Sequence, residues 1–395
     1  MVARNAAVRL ESAPPLVGRD IVCFSNDWHG DPLSKTHLMR ILARDNRVLW
    51  VNSLGLRGPQ ATARDVRRIA DRISRVTQGV REVEPNLFVL SPLALPPSET
   101  PFISAANREI VGAQVRLGMR WLRFSHPISW SFLPSSAPIS GELGEDLVVY
   151  QCVDEFSAFE GTARQTVLAL EERLCRRANL VFASAERLVE TKRLWNPRTF
   201  LVLHGTDYAH FSRALDPETP MPPELAQVPK PVLGFFGLLA EWIDWPLVRY
   251  VADQFPHGTV VLVGQPKADL SALKGAPNIR ILGRRPYARL PSFCKAFDVA
   301  LLPFAVNELT LASNPLKVRE YLAAGLPVVS TPIPEVESLG LCHIARTKEE
   351  FVNAIRAALA AGGGPQRKIA ESIRHESWEA RVEEIRVRLR DLSLA

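Results

Sequence analysis

The stretch that decides the fold reads SNPLKVREYLAAGLPVVS and covers residues 313–330. Asn and Pro at its start are typical of the beginning of a helix, and the residues up to Gly325 form the predicted helix. Residues 327–330 follow as a buried-strand pattern. Lys317 and Glu320 stand three residues apart, so they share one helical face and can address one ligand. An ordinary exposed ion pair is the alternative.

Buried-strand patterns separated by helix-length intervals run along the rest of the chain. They lie at residues 20–25, 47–52, 86–90, 128–132, 147–153, 180–183 and 200–203, and again at 232–237, 260–264, 279–283 and 299–303. Such alternation predicts two α/β sheets with crossover connections. The predicted organisation is a loose tail at 1–18, a first domain at 19–211, a proline-rich linker at 212–231, a second domain at 232–365 and a C-terminal helix at 366–395 that packs back toward the first domain.

The overall composition is that of a globular enzyme. The chain has 395 residues, of which 47% are hydrophobic and 23% charged, and this balance excludes disordered, collagenous and disulfide-scaffold classes. Its five cysteines lie far apart, without the spacing of a zinc site or a bridged framework. No stretch reaches the roughly 18 apolar residues of a membrane-spanning helix, and the N-terminus lacks a signal-peptide core. We therefore expect a cytoplasmic protein in a reducing compartment.

The 313–330 stretch resembles the donor-nucleotide motif of GT-B glycosyltransferases, which commonly reads P-x-K-x-x-E-Y-x-A-x-G-x-P-V-V. Glycine-ended strands at Gly237, Gly264 and Gly283 agree with that family in their order. Over about residues 20–345 the chain is similar to bacterial family 4-type enzymes and the related xanthan glucuronosyltransferase group, which build cell-surface polysaccharide. The resemblance implies an α/β GT-B fold, with two Rossmann-like doubly wound domains facing across a cleft. It also implies transfer of a sugar from a nucleotide sugar, UDP- or GDP-linked, to a glycan or lipid-linked acceptor.

Donor binding is predicted for the second domain. The Lys317 ammonium and the start of its helix suit a diphosphate, because unsatisfied N–H groups and a partial positive charge lie there. Glu320 could accept hydrogen bonds from ribose hydroxyls. The remaining donor-side candidates flank the helix start or follow strand ends: Ser313, Asn314, Pro315, Leu316, Gly237, Arg284 and Arg285.

The acceptor and the catalytic base are predicted for the first domain. Asp154 and Glu155 come just after a strand, and the resemblance to xanthan-type enzymes implies that Asp154 is the base of an inverting reaction. A turn or helix-capping aspartate is the alternative. His29 lies in the loop after the first predicted strand. It could bind the acceptor or replace Asp154 as the base, and the alternative is an ordinary surface residue. The other acceptor-side candidates are Asp27, Asp31 and His204.

Two departures from the family pattern concern the donor site. Retaining family 4 enzymes usually carry a second glutamate eight residues before the ribose-binding one, where this chain has Ala312. They also often place Arg and Lys in the loop that here spans residues 238–245. In this chain the charged residues of that loop are all acidic. Both departures leave the diphosphate dependent mainly on Lys317. We expect no metal and no cofactor, since the chain contains no Asp-x-Asp pair.

Positive charge is concentrated in residues 40–123, which hold 14 Arg against 7 Asp or Glu. Within this segment, residues 64–75 and 110–124 combine apolar and arginine-rich helical faces, as interfacial helices do. The pattern predicts peripheral contact with an anionic membrane at the inner face of the cell membrane. Ordinary core-packed helices with solvated arginines are the alternative, and nucleic-acid binding is disfavoured because no basic motif interleaved with aromatic residues accompanies the charge.

Two other functions fit the same fold. A nucleotide-sugar epimerase would turn over the donor without an acceptor, and a catalytically inactive GT-B scaffold would bind nucleotide weakly or not at all. A dehydrogenase is disfavoured, since no strand is followed by G-x-G-x-x-G.

Overall fold

The computed structural model describes residues 16–53, 78–94 and 101–391. They form two compact units, one comprising the residues up to Leu203 together with those from Arg381, and the other His204–Ala380. Of the predicted tail, residues 1–15 lie outside the described residues. Leu16 belongs to the first unit, because its side chain is buried and its carbonyl accepts a hydrogen bond from Asn46 Nδ2 at 3.2 Å.

The first unit is built on one eight-stranded sheet. Its strands are β1 Asp20–Ser25, β2 Arg47–Asn52, β3 Val80–Glu84, β4 Leu87–Leu90, β5 Ile128–Ser131, β6 Leu147–Cys152, β7 Leu180–Ala183 and β8 Thr199–Leu201. They lie in the order β3-β4-β2-β1-β5-β6-β7-β8, and every neighbouring pair is parallel except β3 with β4. The helices that connect them are Ser34–Leu42, Pro101–Leu122, Arg164–Arg177 and Glu186–Arg193.

The second unit carries a six-stranded parallel sheet. Its strands are β9 Val232–Phe236, β10 Thr259–Val263, β11 Ile279–Ile281, β12 Val299–Leu302, β13 Val328–Ser330 and β14 His343–Ile344, in the order β11-β10-β9-β12-β13-β14. Its helices are Tyr208–Phe211, Trp245–Gln254, Leu290–Ala296, Glu308–Leu311, Leu316–Ala323, Pro334–Glu337, Lys348–Ala360 and Arg367–Ser372. Two α/β sheets of mainly parallel strands with crossover helices confirm the predicted class of fold.

Strand order reverses once in each sheet, and these reversals mark where ligands bind in open α/β folds. In the first unit, β2, β3 and β4 lie on one side of β1, and β5 to β8 lie on the other side. In the second unit, β10 and β11 lie on one side of β9, and β12 to β14 lie on the other side. Ligands of such folds occupy the crevice at the carboxyl ends of the strands on either side of this point. The loops after β1 and β5 in the first unit, and after β9 and β12 in the second, therefore flank these points.

The proline-rich segment 212–231 is part of the second unit rather than a loose connection. Ala214 and Leu225 are buried in the core of that unit. Lys295 Nζ donates hydrogen bonds to three carbonyls of the segment, at 2.7 to 2.9 Å. Its backbone therefore has partners within the protein, which a linker exposed to water would not need.

The C-terminal region forms two helices, Arg367–Ser372 and Trp378–Asp391. From Arg381 onward the second helix belongs to the first unit, where Arg386 pairs with Asp45 at 2.8 Å. None of the helices in the described part of the chain has the length and apolar character needed to cross a membrane.

Candidate functional site

The helix Leu316–Ala323 is fixed against the carboxyl end of β9. Its side chains Val318, Tyr321 and Leu322 are buried in the core of the second unit. The Tyr321 hydroxyl accepts a hydrogen bond from the backbone N–H of Phe236, the last residue of β9, at 2.8 Å. Packing and this hydrogen bond together place the first turn of the helix beside the point where the strand ends.

Lys317 extends across Gly237, the residue that follows β9. A Cβ atom at Gly237 would lie only 1.9 Å from Lys317 Cε, and the backbone there has φ +137°. Only glycine adopts this φ readily and also leaves room for the lysine stem. Lys317 Nζ lies 6.0 Å from the centre of the Phe235 ring. The half-buried lysine side chain thus lies at the carboxyl end of β9.

Glu320 lies one turn along the same helix and is buried, with 6% of its surface exposed. Burial raises the pKa of Glu320 to about 7; Lys317 opposes this rise, and the nearby negative charge of Asp207 adds to it. Asp207 caps the helix Tyr208–Phe211 by accepting a hydrogen bond from His210 N. The predicted pair is therefore not an exposed surface ion pair, and the carboxyl group changes charge near neutral pH.

The residues before the helix hold its start in place. Asn314 is buried, and its side-chain oxygen accepts a hydrogen bond from Arg319 Nη1 at 2.6 Å. Its carbonyl accepts another from His204 Nδ1 at 2.8 Å, which assigns the proton of that imidazole to Nδ1. Ser313 Oγ donates to the Thr310 carbonyl at 2.7 Å. His204, predicted on the acceptor side, thus belongs to the second unit and supports the start of the helix Leu316–Ala323.

Pro315 and Leu316 occupy the positions that their sequence pattern predicts. Pro315 is the N-cap residue, with φ −66° and ψ 108°, and Leu316 is the first residue of the helix. The fixed φ of proline suits this position, and the N–H groups of the first turn have no acceptor within the helix.

The two arginines after β11 have different surroundings. Arg284 is exposed, whereas Arg285 Nε lies 3.3 Å from Glu224 Oε1. Nearby, the Tyr287 ring stacks on His210, with ring centres 4.3 Å apart. The Arg285–Glu224 pair and the Tyr287–His210 stack were not predicted, because each of them joins residues far apart in the chain.

In the first unit, Asp154 is partly exposed just beyond the carboxyl end of β6. The adjacent Glu155 is buried, and its carboxylate accepts hydrogen bonds from Ser157 Oγ at 2.7 Å and Lys192 Nζ at 3.1 Å. Lys192 also pairs with Glu171 at 2.9 Å. Burial disfavours the charge of this lysine, but the neighbouring Cys152, Glu171 and Glu155 raise its pKa above the ordinary value. The structure thus ties Glu155, an acceptor-side prediction, into a buried ion cluster and leaves Asp154 at the strand end.

The loop after β1 exposes the three predicted residues Asp27, His29 and Asp31. His29 lines a shallow pocket together with Arg81 of β3 and Ser91, which follows β4. These strands lie on one side of β1, whereas Asp154 follows β6, two strands away on the other side. The described structure therefore does not bring the two candidate bases together.

One of the two carboxylates in the loop after β9 has a structural role. Asp244 caps the helix Trp245–Gln254 by accepting a hydrogen bond from Leu247 N at 2.8 Å. Ala312 is buried, with 2% exposure.

Among the described residues, no group of three or more His, Cys, Asp or Glu side chains is arranged to hold a metal ion. All five cysteines are free thiols.

Comparison with known proteins shows what the chain is similar to. Residues 230–361 match the family described as "Glycosyl transferases group 1". In an alignment over 255 residues, the chain is 26% identical to the protein of Bacillus subtilis named "Putative teichuronic acid biosynthesis glycosyltransferase TuaH". The match covers 59% of this chain and 64% of that relative, which is less than two thirds of the relative's length.

Solved structures extend the likeness to almost the whole chain. A sucrose-phosphate synthase of Thermosynechococcus elongatus is 15% identical with a TM-score of 0.69, and the superposition covers 95% of this chain and 99% of that one. A UDP-forming trehalose-phosphate synthase of Burkholderia vietnamiensis is 13% identical with a TM-score of 0.67, covering 94% and 97%. The HepE protein of Anabaena, solved in complex with UDP, is 15% identical with a TM-score of 0.58, covering 95% and 96%. The chain therefore has the GT-B fold, and its residues 230–361 match the group 1 glycosyltransferases.

Proposed function

We propose that the protein is a glycosyltransferase of cell-surface polysaccharide synthesis, moving a sugar from a nucleotide sugar to a glycan or lipid-linked acceptor. The observation that carries this proposal is the Lys317–Glu320 pair beside Gly237, inside the group 1 domain. Lys317 and the helix start bind the diphosphate, and Glu320 accepts hydrogen bonds from the ribose. Gly283–Arg285 receives the nucleobase. Fixed dipoles and Lys317 stabilise the leaving group, without a metal ion or cofactor.

Asp154 is the base in this proposal. It takes the proton of the acceptor hydroxyl while the acceptor oxygen bonds to the anomeric carbon. The bond from that carbon to the diphosphate oxygen breaks, and its electron pair leaves with the nucleoside diphosphate. Direct displacement inverts the anomeric centre. If NMR of the product shows retention, Asp154 does not act as this base.

Thermal denaturation with nucleotides tests the donor site. UDP is tried first, because the HepE structure holds UDP and the trehalose-phosphate synthase is described as UDP-forming. GDP, TDP, CMP and their sugar conjugates follow. A ligand at about 100 times its dissociation constant stabilises the folded state by about 2.7 kcal/mol. One nucleotide should raise the melting temperature selectively.

Two lysine variants make that experiment specific. Lys317→Ala should remove the nucleotide effect. Lys348→Ala should keep it, because Lys348 begins another helix of the same unit and lies over Tyr250 at 4.8 Å. If no nucleotide stabilises the wild-type protein, the scaffold alternative is favoured, whereas donor turnover without any acceptor would indicate the epimerase.

We further propose that the first unit binds peripherally to the anionic inner face of the cell membrane. In the helix Pro101–Leu122, Leu117 and Trp121 are 64% and 66% exposed and lie one turn apart. Arg120 and Arg123 are exposed next to them. Apolar side chains flanked by arginines suit an interface with anionic lipid. The other predicted interfacial helix, at 64–75, lies outside the described residues.

Sedimentation with phosphatidylglycerol vesicles at low salt tests this surface. The double variant Leu117→Ser/Trp121→Ser should remain in the supernatant while the wild type sediments. Leu194→Ser is the matched control, since Leu194 is 82% exposed elsewhere in the same unit. Equal sedimentation of the double variant and the wild type would rule out this surface.

A further inference from the structure

Asp154 lies in the β6 turn, the residues 153–158 that follow β6. The backbone of this turn is held on both sides of Asp154. The Val153 carbonyl, in the preceding peptide group, accepts a hydrogen bond from Ser184 Oγ at 3.0 Å. The Asp154 carbonyl, in the following peptide group, accepts one from Cys152 Sγ at 3.4 Å. Both peptide groups are thus anchored to buried side chains, while Asp154 itself stays partly exposed.

Lys192 is the centre of a buried ion cluster that reaches the β6 turn by two routes. Its side chain is 1% exposed, and its Nζ lies 3.1 Å from Glu155 Oε2 and 2.9 Å from Glu171 Oε2. The first route is direct, because Glu155 is the residue after Asp154. The second route passes through Glu171 Oε1, which lies 3.3 Å from the same Cys152 thiol that reaches the Asp154 carbonyl.

The protons that these contacts need are present at neutral pH. Burial raises the pKa of Tyr150 and of Cys152 well above their ordinary values, so both groups remain donors. The Tyr150 hydroxyl donates to Glu171 Oε1 at 2.6 Å. The single thiol proton of Cys152 is shared between Glu171 and the Asp154 carbonyl. The cluster therefore surrounds the β6 turn with fixed donors and acceptors.

Orientation, rather than stability, is what charges add at such a place. Apolar side chains of similar volume often stabilise a core as well as a buried ion cluster does, or better. A carboxylate bound by a cation and a hydroxyl, in contrast, has one favoured placement. Glu155 is bound in this way by Lys192 and by Ser157 Oγ, the latter at 2.7 Å. Because Glu155 adjoins Asp154, its fixed side chain restricts the backbone from which the Asp154 carboxylate extends.

We propose that Lys192 positions Asp154: its buried ammonium binds Glu155 and Glu171, and these two carboxylates hold the backbone of the β6 turn. This rests on the proposed function, in which Asp154 is the base. A base must lie within hydrogen-bond reach of the acceptor hydroxyl, and a misplacement of about 1 Å can cost about a hundredfold in rate. Lys192 is too deeply buried to contact substrate, so it acts only through its two partners.

Hydrogen exchange tests this placement without any substrate. The amides of Phe156 and Ala158 donate to carbonyls of the β6 turn at 3.1 and 3.0 Å, so they should exchange slowly in the wild type. Lys192→Met should speed their exchange roughly tenfold or more relative to amides of β1 in the same protein. Val189→Ala is the matched control, since it truncates a buried apolar side chain of the same helix and should leave this ratio unchanged. Asp154→Asn should leave it unchanged as well.

A milder variant keeps the test decisive if Lys192→Met does not fold. Ser157→Ala removes one hydrogen bond to Glu155 but leaves the ion cluster paired. It should speed exchange of the β6 turn roughly fivefold. Melting curves show which variants are folded. Unchanged exchange of the β6 turn in the folded variants overturns the proposal, even if no sugar transfer is ever detected.

Turnover at saturating nucleotide sugar separates positioning from simple structural support. Ser157→Ala should lower kcat roughly fivefold or more and leave the donor KM unchanged, whereas Val189→Ala should keep both values. In the Asp154→Asn background, Ser157→Ala should change kcat by less than about twofold, because the base is already absent. An equal loss of kcat in both backgrounds overturns the proposal. If the wild type transfers no sugar at all, the proposed function fails, and hydrogen exchange still decides whether Lys192 holds the turn.

Discussion

Replacing Glu320 by glutamine should stabilise the second unit above neutral pH and leave its stability unchanged in acid. An ordinary glutamate has a pKa of 4.5, and burial raises that of Glu320 to about 7 in the folded protein. Between these values the folded state holds a proton that the unfolded chain has lost. The stability due to this proton is fully present below pH 4.5 and is lost as pH rises through about 7.

The two pKa values fix the size of the effect. Each pKa unit corresponds to about 1.4 kcal/mol, so ionised Glu320 lowers the free energy of unfolding by about 3 kcal/mol above pH 7. Glutamine is never ionised and avoids this cost. For a unit of this size, 1 kcal/mol changes the melting temperature by roughly 2–4 °C. The variant should therefore melt roughly 6–12 °C above the wild type at pH 8.

Melting of both proteins from pH 4 to pH 9, followed by circular dichroism, measures this difference. Glu349→Gln serves as the control for removing one acidic group, because Glu349 is exposed on the helix Lys348–Ala360 of the same unit. The difference between Glu320→Gln and the wild type should grow between pH 4.5 and 7 and then level off. A difference that is constant across this range would refute the assignment of Glu320 as a buried carboxyl that ionises near pH 7.

Three further predictions concern the site and its supports. Gly237→Ala should weaken nucleotide binding at least tenfold in a titration, because the added methyl group would lie 1.9 Å from Lys317 Cε. Lys192→Met should lower the free energy of unfolding of the first unit by about 3–5 kcal/mol in urea, because it leaves two buried carboxylates without their cation. Asp154→Asn should reduce kcat by roughly 10²–10⁴-fold while the nucleotide dissociation constant stays within twofold of wild type. Unchanged nucleotide affinity in Gly237→Ala would contradict the role given to Gly237. The same holds for an unchanged free energy of unfolding in Lys192→Met and for an unchanged kcat in Asp154→Asn.

Most of the strands that sequence predicted are buried on both faces, although β8 and β11 are only partly buried. Such strands form continuous apolar runs, as in β6 and β9, where every residue is buried. The strand β3 was missed because it pairs only with β4 at the sheet edge and its sequence, VREVE, is mostly charged. The strand β14 was missed because it has two residues. Edge and very short strands depend on their neighbours more than on their own composition.

The candidate site was predictable where it depends on local spacing. Lys317 and Glu320 are three residues apart on one helix, so their shared face follows from helical geometry alone. Pairs such as Glu155 with Lys192, 37 residues apart, depend on how distant elements pack. The sequence placed Glu155 beside Asp154 as a possible ligand contact, but packing gives it a buried lysine as partner.

The electrostatics of the helix Leu316–Ala323 predict how activity depends on pH. The buried Glu320 lies one turn along this helix from the half-buried Lys317, and it ionises as pH rises through about 7. Because the ionised carboxylate is the form that accepts hydrogen bonds from the ribose, kcat/KM should rise with pH through about 7. Saturating nucleotide sugar should move this acidic limb of kcat to lower pH, because bound ribose favours the ionised carboxylate. An acidic limb at the same pH in both profiles would mean that Glu320 does not bind the donor.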